Sequence, residues 1–555
     1  VNAFDRSVRE RTIQLVTIIG EPGVGKSRLL NEFRETIDAR PDIAWWRQGR
    51  CLPYGEGITF WALAEIVKAH AGILDSGTGA EAKLQAVVKP LFADSTTADW
   101  VKARLSPLAG VGGASDDVDQ AELFSAWSRF FEALAARNPL ILVVEDLHWA
   151  DEAMLDFLEH LTDWAVGSPI LVVATARPEL YSVRGSWGGG KRNAASVSLS
   201  PLDSEHAAVL LGALLETAVL DASVQQAILE RSEGNPLYVT EFVRLAGDRG
   251  LLQDAAGIED LPPPGSVHGI VAARLDLLEP EEKATLQAAA VVGKVFWLGA
   301  LQGIRPAPDS SALVRNLVRR ELVRPVRDPS MLGQEEYAFS HSVIRDVAYG
   351  QIPRGDRAHL HEAVAGWIEA VTGPQGSDSA ELVAYHLGEA MRLSSDPDPE
   401  LRMKSYRVNM QAGDHSRGLN PVRGAGYYRS AADVAQSGKD RAVALLQLGR
   451  LSQDPDETRP LFEEALALYR DVGDVEGEAV ALHAIAGFLW WRGDTAGADM
   501  HGAKALDLLD ELPVGTAKAT VLTGGVSAFF LRGQAAEALG LAEKAAPVVA
   551  AAGTT

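Results

Sequence analysis

Three short stretches of the chain are almost unbroken runs of apolar, largely β-branched residues: Ile13-Gln14-Leu15-Val16-Thr17-Ile18-Ile19, Pro139-Leu140-Ile141-Leu142-Val143-Val144 and Pro169-Ile170-Leu171-Val172-Val173-Ala174. Runs of that length without alternation read as strands buried on both faces. Ile43-Ala44-Trp45-Trp46-Arg47-Gln48 reads as a further strand. Between them the apolar spacing is helical, over Arg28 to Phe33, Trp61 to His70, Ala80 to Phe92 and Ala121 to Ala136. Buried strands alternating with helices predict an α/β domain, a parallel sheet flanked by helices.

Beyond it the pattern changes. Ser186-Trp187-Gly188-Gly189-Gly190-Lys191 is glycine-rich without a following helix and reads as flexible linker. Helical spacing covers Asp203 to Leu215, Ala222 to Arg231 and Val239 to Ala246, broken by Gly234-Asn235-Pro236-Leu237-Tyr238, and Leu261-Pro262-Pro263-Pro264 marks a boundary. Helices over Val267 to Leu278, Pro280 to Val292 and Ser311 to Arg319 precede strand-like Leu322 to Val326 and Glu336 to Phe339. Helices capped by a two-strand hairpin predict a winged helix. From about Asp378 onward the chain is helical throughout and repeats at one offset: Ala465-Leu466-Ala467-Leu468 matches Ala505-Leu506-Asp507-Leu508, Trp491-Arg492-Gly493 matches Leu531-Arg532-Gly533, and Tyr427 to Ala432 is a degenerate copy. Two matches at one offset predict stacked helix pairs of the TPR-like kind.

Length and composition narrow this picture. A chain of 555 residues is too long for one core. With 47% hydrophobic and 23% charged residues and no apolar run of membrane-spanning length, it reads as soluble, cytoplasmic protein without a signal peptide. The single cysteine, Cys51, excludes an internal disulfide. A formal charge of −23 disfavours nucleic acid and anionic membrane as partners of the whole chain. Arg315, Arg319, Arg320, Arg324 and Arg327 form a local basic patch, expected to face the α/β domain rather than DNA. The first residue is Val1 and the last five are Ala551-Ala552-Gly553-Thr554-Thr555, so a piece of a longer protein is expected.

The chemistry is concentrated at strand ends. Gly20-Glu21-Pro22-Gly23-Val24-Gly25-Lys26-Ser27 fits G-x-x-x-x-G-K-[ST] between a strand and the helix that opens near Arg28. Glycines let successive backbone N–H groups turn onto phosphates, Lys26 reaches the outer phosphates, and the Ser27 hydroxyl suits Mg²⁺. The second strand run ends in Glu145-Asp146, and two acids there suit a Mg²⁺ carboxylate, Glu145, and a base for the attacking water, Asp146. Asp146 is the shorter acid in the base position, which points to slow hydrolysis. The third run ends in Thr175-Ala176-Arg177-Pro178, where a polar residue and a guanidinium suit the γ-phosphate. Tyr54 or Glu56 is a candidate to face nucleotide, although a packing loop with Cys51 as a small buried residue is the plainer reading. His148 has no second ligand at zinc spacing and is left structural; His359-Leu360-His361-Glu362 is followed by Ala365, not histidine, so zinc is rejected there too.

Taken together, Gly20 to Leu29, Cys51 to Leu63, Leu142 to Asp151, Thr175 to Pro178, Gly234 to Tyr238 and Phe339 to Tyr349 resemble, in order, segments of the STAND class of signal-transduction ATPases. The resemblance is to the AAA-type ATPase regions of bacterial adenylyl cyclases and of large LuxR-type and MalT-like regulators. It implies a phosphate-loop NTPase core over residues 1–185, a helical lid over 186–262, a winged helix over 263–375 and TPR-like repeats over 376–555. It also implies ATP/ADP and Mg²⁺ as cofactors, Pro236 on the adenine side, Arg177 as sensor arginine and His341 on the ADP β-phosphate. Of the family's upstream Gly-Arg-Glu segment only Arg9-Glu10 is recognisable. The expected function is a switch, closed with ADP and open with ATP. An inducer or protein partner would act on the repeats, the opened form would self-assemble, and an output domain would respond. A continuously hydrolysing remodelling ATPase and a nucleotide-dead scaffold are the alternatives. No Asn-Lys-x-Asp or Thr-Lys-x-Asp segment occurs, which favours adenine over guanine, and nothing resembles a cyclase catalytic domain.

Overall fold

In the computed structural model the described residues are 1–41, 43–52, 59–73, 79–111, 119–165, 167–215, 222–250, 267–307, 309–326, 334–373, 379–452 and 454–552. The apolar runs form strands β1 (Gln14–Ile19), β2 (Trp45–Arg50), β3 (Leu140–Glu145) and β4 (Ile170–Ala176), joined by β5 (Ala194–Ser198). All pair in parallel, in the order β2-β3-β4-β1-β5. Helices α1 (Asn2–Glu10) and α2 (Lys26–Asp38) cover one face, where Phe4, Leu30 and Ile37 pack on Ile18, Ile141, Val143, Leu171 and Val173. The alternate residues Leu140, Leu142, Val144, Ile170 and Val172 are equally buried, so both faces are covered and the strand sequences show no alternation. Helices α3 (Trp61–Ala71), α4 (Ala80–Val88), α5 (Ser95–Leu105), α6 (Gln120–Ala135) and α7 (Glu152–Trp164) complete the α/β domain, with Phe60 and Phe157 each in ring contact with both Phe124 and Trp127.

One expectation is overturned here. The glycine-rich stretch after the short helix α8 (Leu180–Val183) is not a free linker: Trp187 is 3% exposed, and its indole N–H donates to Thr17 Oγ1 of the central strand at 2.9 Å. Lys191 pairs with Asp163 at 2.8 Å, and the chain then enters the sheet as β5. A single large aromatic anchors what its glycine neighbours suggested was mobile.

Helices α9 (Ser204–Leu215), α10 (Ala222–Ser232), α11 (Pro236–Asp248) and α12 (Val267–Leu275) share a small core of their own around Leu211, Ile228, Val239, Phe242, Leu245 and Ile270. After α13 (Pro280–Val292) come β6 (Val295–Trp297), α14 (Leu298–Ile304), α15 (Ser310–Arg319), β7 (Val323–Pro325), β8 (Glu336–Phe339) and α16 (Ser342–Gly350). The expected two-strand hairpin is a three-stranded antiparallel sheet, order β6-β8-β7, because Val295-Phe296-Trp297 adds an edge too short to stand out in the sequence. Helices α17 (Arg354–Thr372) and α18 (Ala380–Leu393) complete the first compact unit, which ends at Ser395.

The second unit, from Asp396, is all helical: α19 (Pro399–Ser416), α20 (Pro421–Val434), α21 (Gly438–Leu451), α22 (Pro455–Asp471), α23 (Val475–Trp491), α24 (Thr495–Asp507), α25 (Thr516–Leu531) and α26 (Ala535–Ala552). Each packs on the next, and α21 on α23 and α23 on α25. The repeat is visible at helix ends. Gly493 and Gly533 stop α23 and α25 at φ 82° and 75°, and Asp454 and Asp494 cap α22 and α24.

Candidate functional site

Parallel strands deliver their carboxyl ends to one edge, and the sequence places its polar residues there. β1 hands the chain to Gly20, and α2 starts at Lys26 with Gly25 as its N-cap at φ 111°. Gly23, at φ 83°, has no room for a side chain, since a Cβ would lie 2.5 Å from Leu237 Cβ; at Gly25 a Cβ would meet nothing within 4 Å. Val24 is buried and Glu21 exposed, whereas the Lys26 ammonium donates to Gly20 O at 2.5 Å and Glu21 O at 3.0 Å. Burial lowers the Lys26 pKa to about 8, against the pull of Asp146. Ser27 is exposed in the first turn of α2, and Arg28 lies along the helix surface paired with Glu32.

The two acids at the end of β3 face different partners. Glu145 is buried and accepts from Gln48 Nε2 at 2.5 Å, with an Arg50 guanidinium nitrogen at 3.5 Å. Asp146 sits in the left-handed region, φ 57°, with its N–H on Thr175 Oγ1 at 3.1 Å and its carboxylate on Lys294 Nζ at 2.5 Å. Burial works to raise the Asp146 pKa, but Lys294 outweighs it and holds the group at about 2. Arg177 donates its N–H to His148 Nδ1 and a guanidinium N–H to Ser342 Oγ, both at 3.3 Å.

His148 therefore belongs to this edge rather than to the scaffold alone. Burial lowers its pKa to about 4, so the ring is neutral near pH 7, and with Nδ1 accepting, Nε2 carries the proton. Buried Nε2 has no hydrogen-bond partner among the described residues. Those residues contain no cluster of three or more metal-ligating side chains.

The segment before α11 closes over the loop. Asn235 caps the helix through Leu237 N–H at 3.0 Å and donates from Nδ2 to Pro22 O at 3.2 Å; Leu237 N–H also reaches Gly23 O at 3.3 Å. Pro236 is the first residue of α11, where a missing N–H costs nothing. Gly234 is required twice over, by φ 74° and because a Cβ would lie 2.0 Å from Leu202 O.

His341 immediately precedes α16, next to the Ser342 that holds Arg177. Burial lowers its pKa, modulated by Glu241, Arg244, Lys294 and Arg324. Tyr54, Glu56, Arg327 and the Pro262-Pro263-Pro264 boundary lie outside the described residues. Cys51 is buried beside the site, and Arg9 and Glu10 pair with each other at the surface. Lys294, Ser342, Gln48 and Asn235 were missed in the sequence. Only Asn235 had a local signal, an Asn before Pro at a helix start.

The model of the AAA ATPase domain family matches residues 1–173. That segment is similar to an AAA ATPase domain. The match stops within β4, short of Thr175 and Arg177. An uncharacterized protein of Rhizobium meliloti (strain 1021) is 26% identical over 491 residues, 82% of this chain and 45% of its own length, so the chain spans less than half of that relative. Among solved structures, a Pyrococcus horikoshii signal transduction ATPase with numerous domains (STAND) protein with a tetratricopeptide repeat sensor aligns at 12% identity and TM-score 0.40, over 98% of this chain and 82% of that one. BtubC from P. vanneervenii aligns at 16% identity and TM-score 0.27, over 37% and 85% of the two chains. An AAA ATPase domain implies nucleotide binding, and the residues fit a polyphosphate. Lys26 lies within electrostatic reach of Asp146 and Arg177, the side of Gly25 that a Cβ would occupy is open, and the buried His148 Nε2–H is an unused donor.

Proposed function

We propose that the chain is an ATP-binding signal-transduction switch of the STAND class with slow ATP hydrolysis, closed with ADP and open with ATP, acting on an output domain. The observation that supports it most is one convergence within a single compact unit. The loop from Gly20 to Ser27, Asp146, Thr175, Arg177 and the Asn235–Leu237 segment meet at one sheet edge, and Lys294 and Ser342 join them from the three-stranded module. On this reading residues 263–375 are the winged helix, the helices after β5 are the lid, and the second unit is a TPR-like sensor for an inducer or protein partner.

Lys26 and the N–H groups of Gly23 to Arg28 bind the outer phosphates, joined by Arg177 and the His148 Nε2–H. Ser27 and Glu145 would hold Mg²⁺, with Gln48 orienting the carboxylate. Mg²⁺, when bound, neutralises charge on the transferring phosphoryl group. Thr175 fixes the backbone of Asp146, which takes the proton of the attacking water once free to do so. Pro236 borders adenine, and His341 contacts the ADP β-phosphate. Such a switch works only by differential affinity of nucleotide for the two states.

The test is the nucleotide that accompanies the purified full chain. One adenine nucleotide per chain, retained with little turnover, is expected, and His341→Ala should speed ADP release. A preference for GTP, or no adenine nucleotide bound even on reconstitution, overturns the reading; fast steady-state hydrolysis replaces it with the remodelling ATPase.

A further inference from the structure

Lys294 lies outside residues 1–173, 148 positions after the Asp146 it touches. It is not a loosely held surface lysine. Its carbonyl accepts from Phe339 N–H at 2.9 Å, Val295 pairs with Ala338 in the sheet, and Phe296 is fully buried, so the base of the side chain is fixed. At the other end Asp146 is fixed by its left-handed backbone and its bond to Thr175. Both side chains are about 20% exposed. The other groups that act on Asp146 are His148 and Arg50, while Lys26 feels both Asp146 and Lys294.

We propose that Lys294 is an interlock on Asp146: by occupying the carboxylate from the three-stranded module, it keeps Asp146 from serving the attacking water until that module shifts. With the Lys294 ammonium donating to Asp146 Oδ2, the carboxylate oxygen that would accept from the attacking water is already filled. Lys294 thus acts through Asp146 and is a positioning residue. The inference rests on the nucleotide-binding reading above and adds to it a specific brake, distinct from the contacts to nucleotide itself. It also explains a geometric economy: one side chain ties the position of the β6 segment to the competence of the site, with no ligand needed to report between them.

The experiment compares the full chain with Lys294→Ala, Lys294→Met and Lys294→Arg, reading nucleotide affinity, kcat and KM for ATP, and melting temperature. Removal of the charge should raise kcat about tenfold, as expected for coupling of ordinary size, with KM changed less than about twofold. Lys294→Arg, which restores the cation, should lose most of that gain, and Asp146→Asn should abolish it. A bridge that only fastens the modules would lower the melting temperature of Lys294→Met without raising kcat; that result, or a fall in kcat, overturns the interlock. If the unmodified chain binds no adenine nucleotide, the underlying reading fails and the interlock with it. Binding with kcat unmoved removes the interlock alone.

Discussion

In the first unit Lys294 reaches back 148 residues to Asp146, and Ser342 lies 165 residues from the Arg177 it holds; in the second, each helix packs on the next one or two in the chain. The first arrangement pays its loop-closure entropy once and places charged groups from distant segments on one edge. The second spreads stability over like interfaces, so a local fault stays near its origin. The difference predicts where substitutions act. Changes at the sheet edge should alter ligand binding with little effect on the array, and changes in the array should alter melting without altering the site.

The largest effect is expected from Lys26→Ala. If the half-buried Lys26 ammonium binds the outer phosphates as proposed, its loss should weaken ATP binding by roughly a hundredfold or more, about 3 kcal/mol. Titration calorimetry reads the affinity, and far-UV circular dichroism the helical array, which should be unchanged. Retained affinity would mean that the loop does not carry the binding.

Acid should act next, within the first unit. Tyr349 O–H, His361 and His386 form a buried chain, with 2.9 Å from the hydroxyl to His361 Nε2 and 2.9 Å between the two Nδ1 atoms, and both imidazoles are 0% exposed. Burial lowers His361 to about 4 and His386 well below its ordinary value; Glu389 partly opposes this at His361, and Arg345, Arg357 and Arg392 reinforce it. The folded rings bind protons less tightly than the unfolded ones. The stability they permit is therefore present above the unfolded pKa of about 6.5 and is lost as pH falls toward 4, on the order of 3 kcal/mol for His361. Amide exchange across α16–α18 should accelerate through that window. His361→Gln should flatten the profile, and an unaltered profile would remove the pair as its source.

How much of this was legible follows the same division. The conformation of the Gly20–Ser27 loop was readable because its glycines, Lys26 and Ser27 are contiguous and the backbone is set locally, with φ 83° at Gly23 and 111° at Gly25. The strands were readable from unbroken apolar runs, and the repeats from Gly493 and Gly533 recurring at helix ends. β5 was not, because Ala194-Ala195-Ser196-Val197-Ser198 is mostly exposed and owes its strand to pairing with β1. Lys294 was invisible for the same reason: nothing in Gly293-Lys294-Val295 indicates a carboxylate far back in the chain. The place of His148 was not legible either, because its contact with the Arg177 N–H is made across two strand ends and leaves no mark in the local sequence.

In the array, Gly449 allows Phe462 to approach, and a Cβ there would lie 2.5 Å from the ring edge. Gly449→Val should therefore cost about 1–3 kcal/mol through overpacking. The melting transition of the array should fall while ATP affinity stays as it was. A matching loss of affinity would show that the two units are coupled more tightly than nearest-neighbour packing implies.

The finest test uses two adjacent tryptophans at the end of α23. Trp490 packs on the core of the array and lies under the Arg532 guanidinium, 5.3 Å from the ring centroid, whereas Trp491 is 88% exposed. Trp490→Ser removes apolar burial and a cation–π contact between neighbouring repeats and should cost about 1–2 kcal/mol. Trp491→Ser removes neither and should stay within about 0.5 kcal/mol. Urea unfolding followed by circular dichroism separates them. Equal losses would mean that residue identity at the helix end, rather than the inter-repeat contact of Trp490, sets stability there, and the nearest-neighbour account of the array would fail at the place where it is simplest.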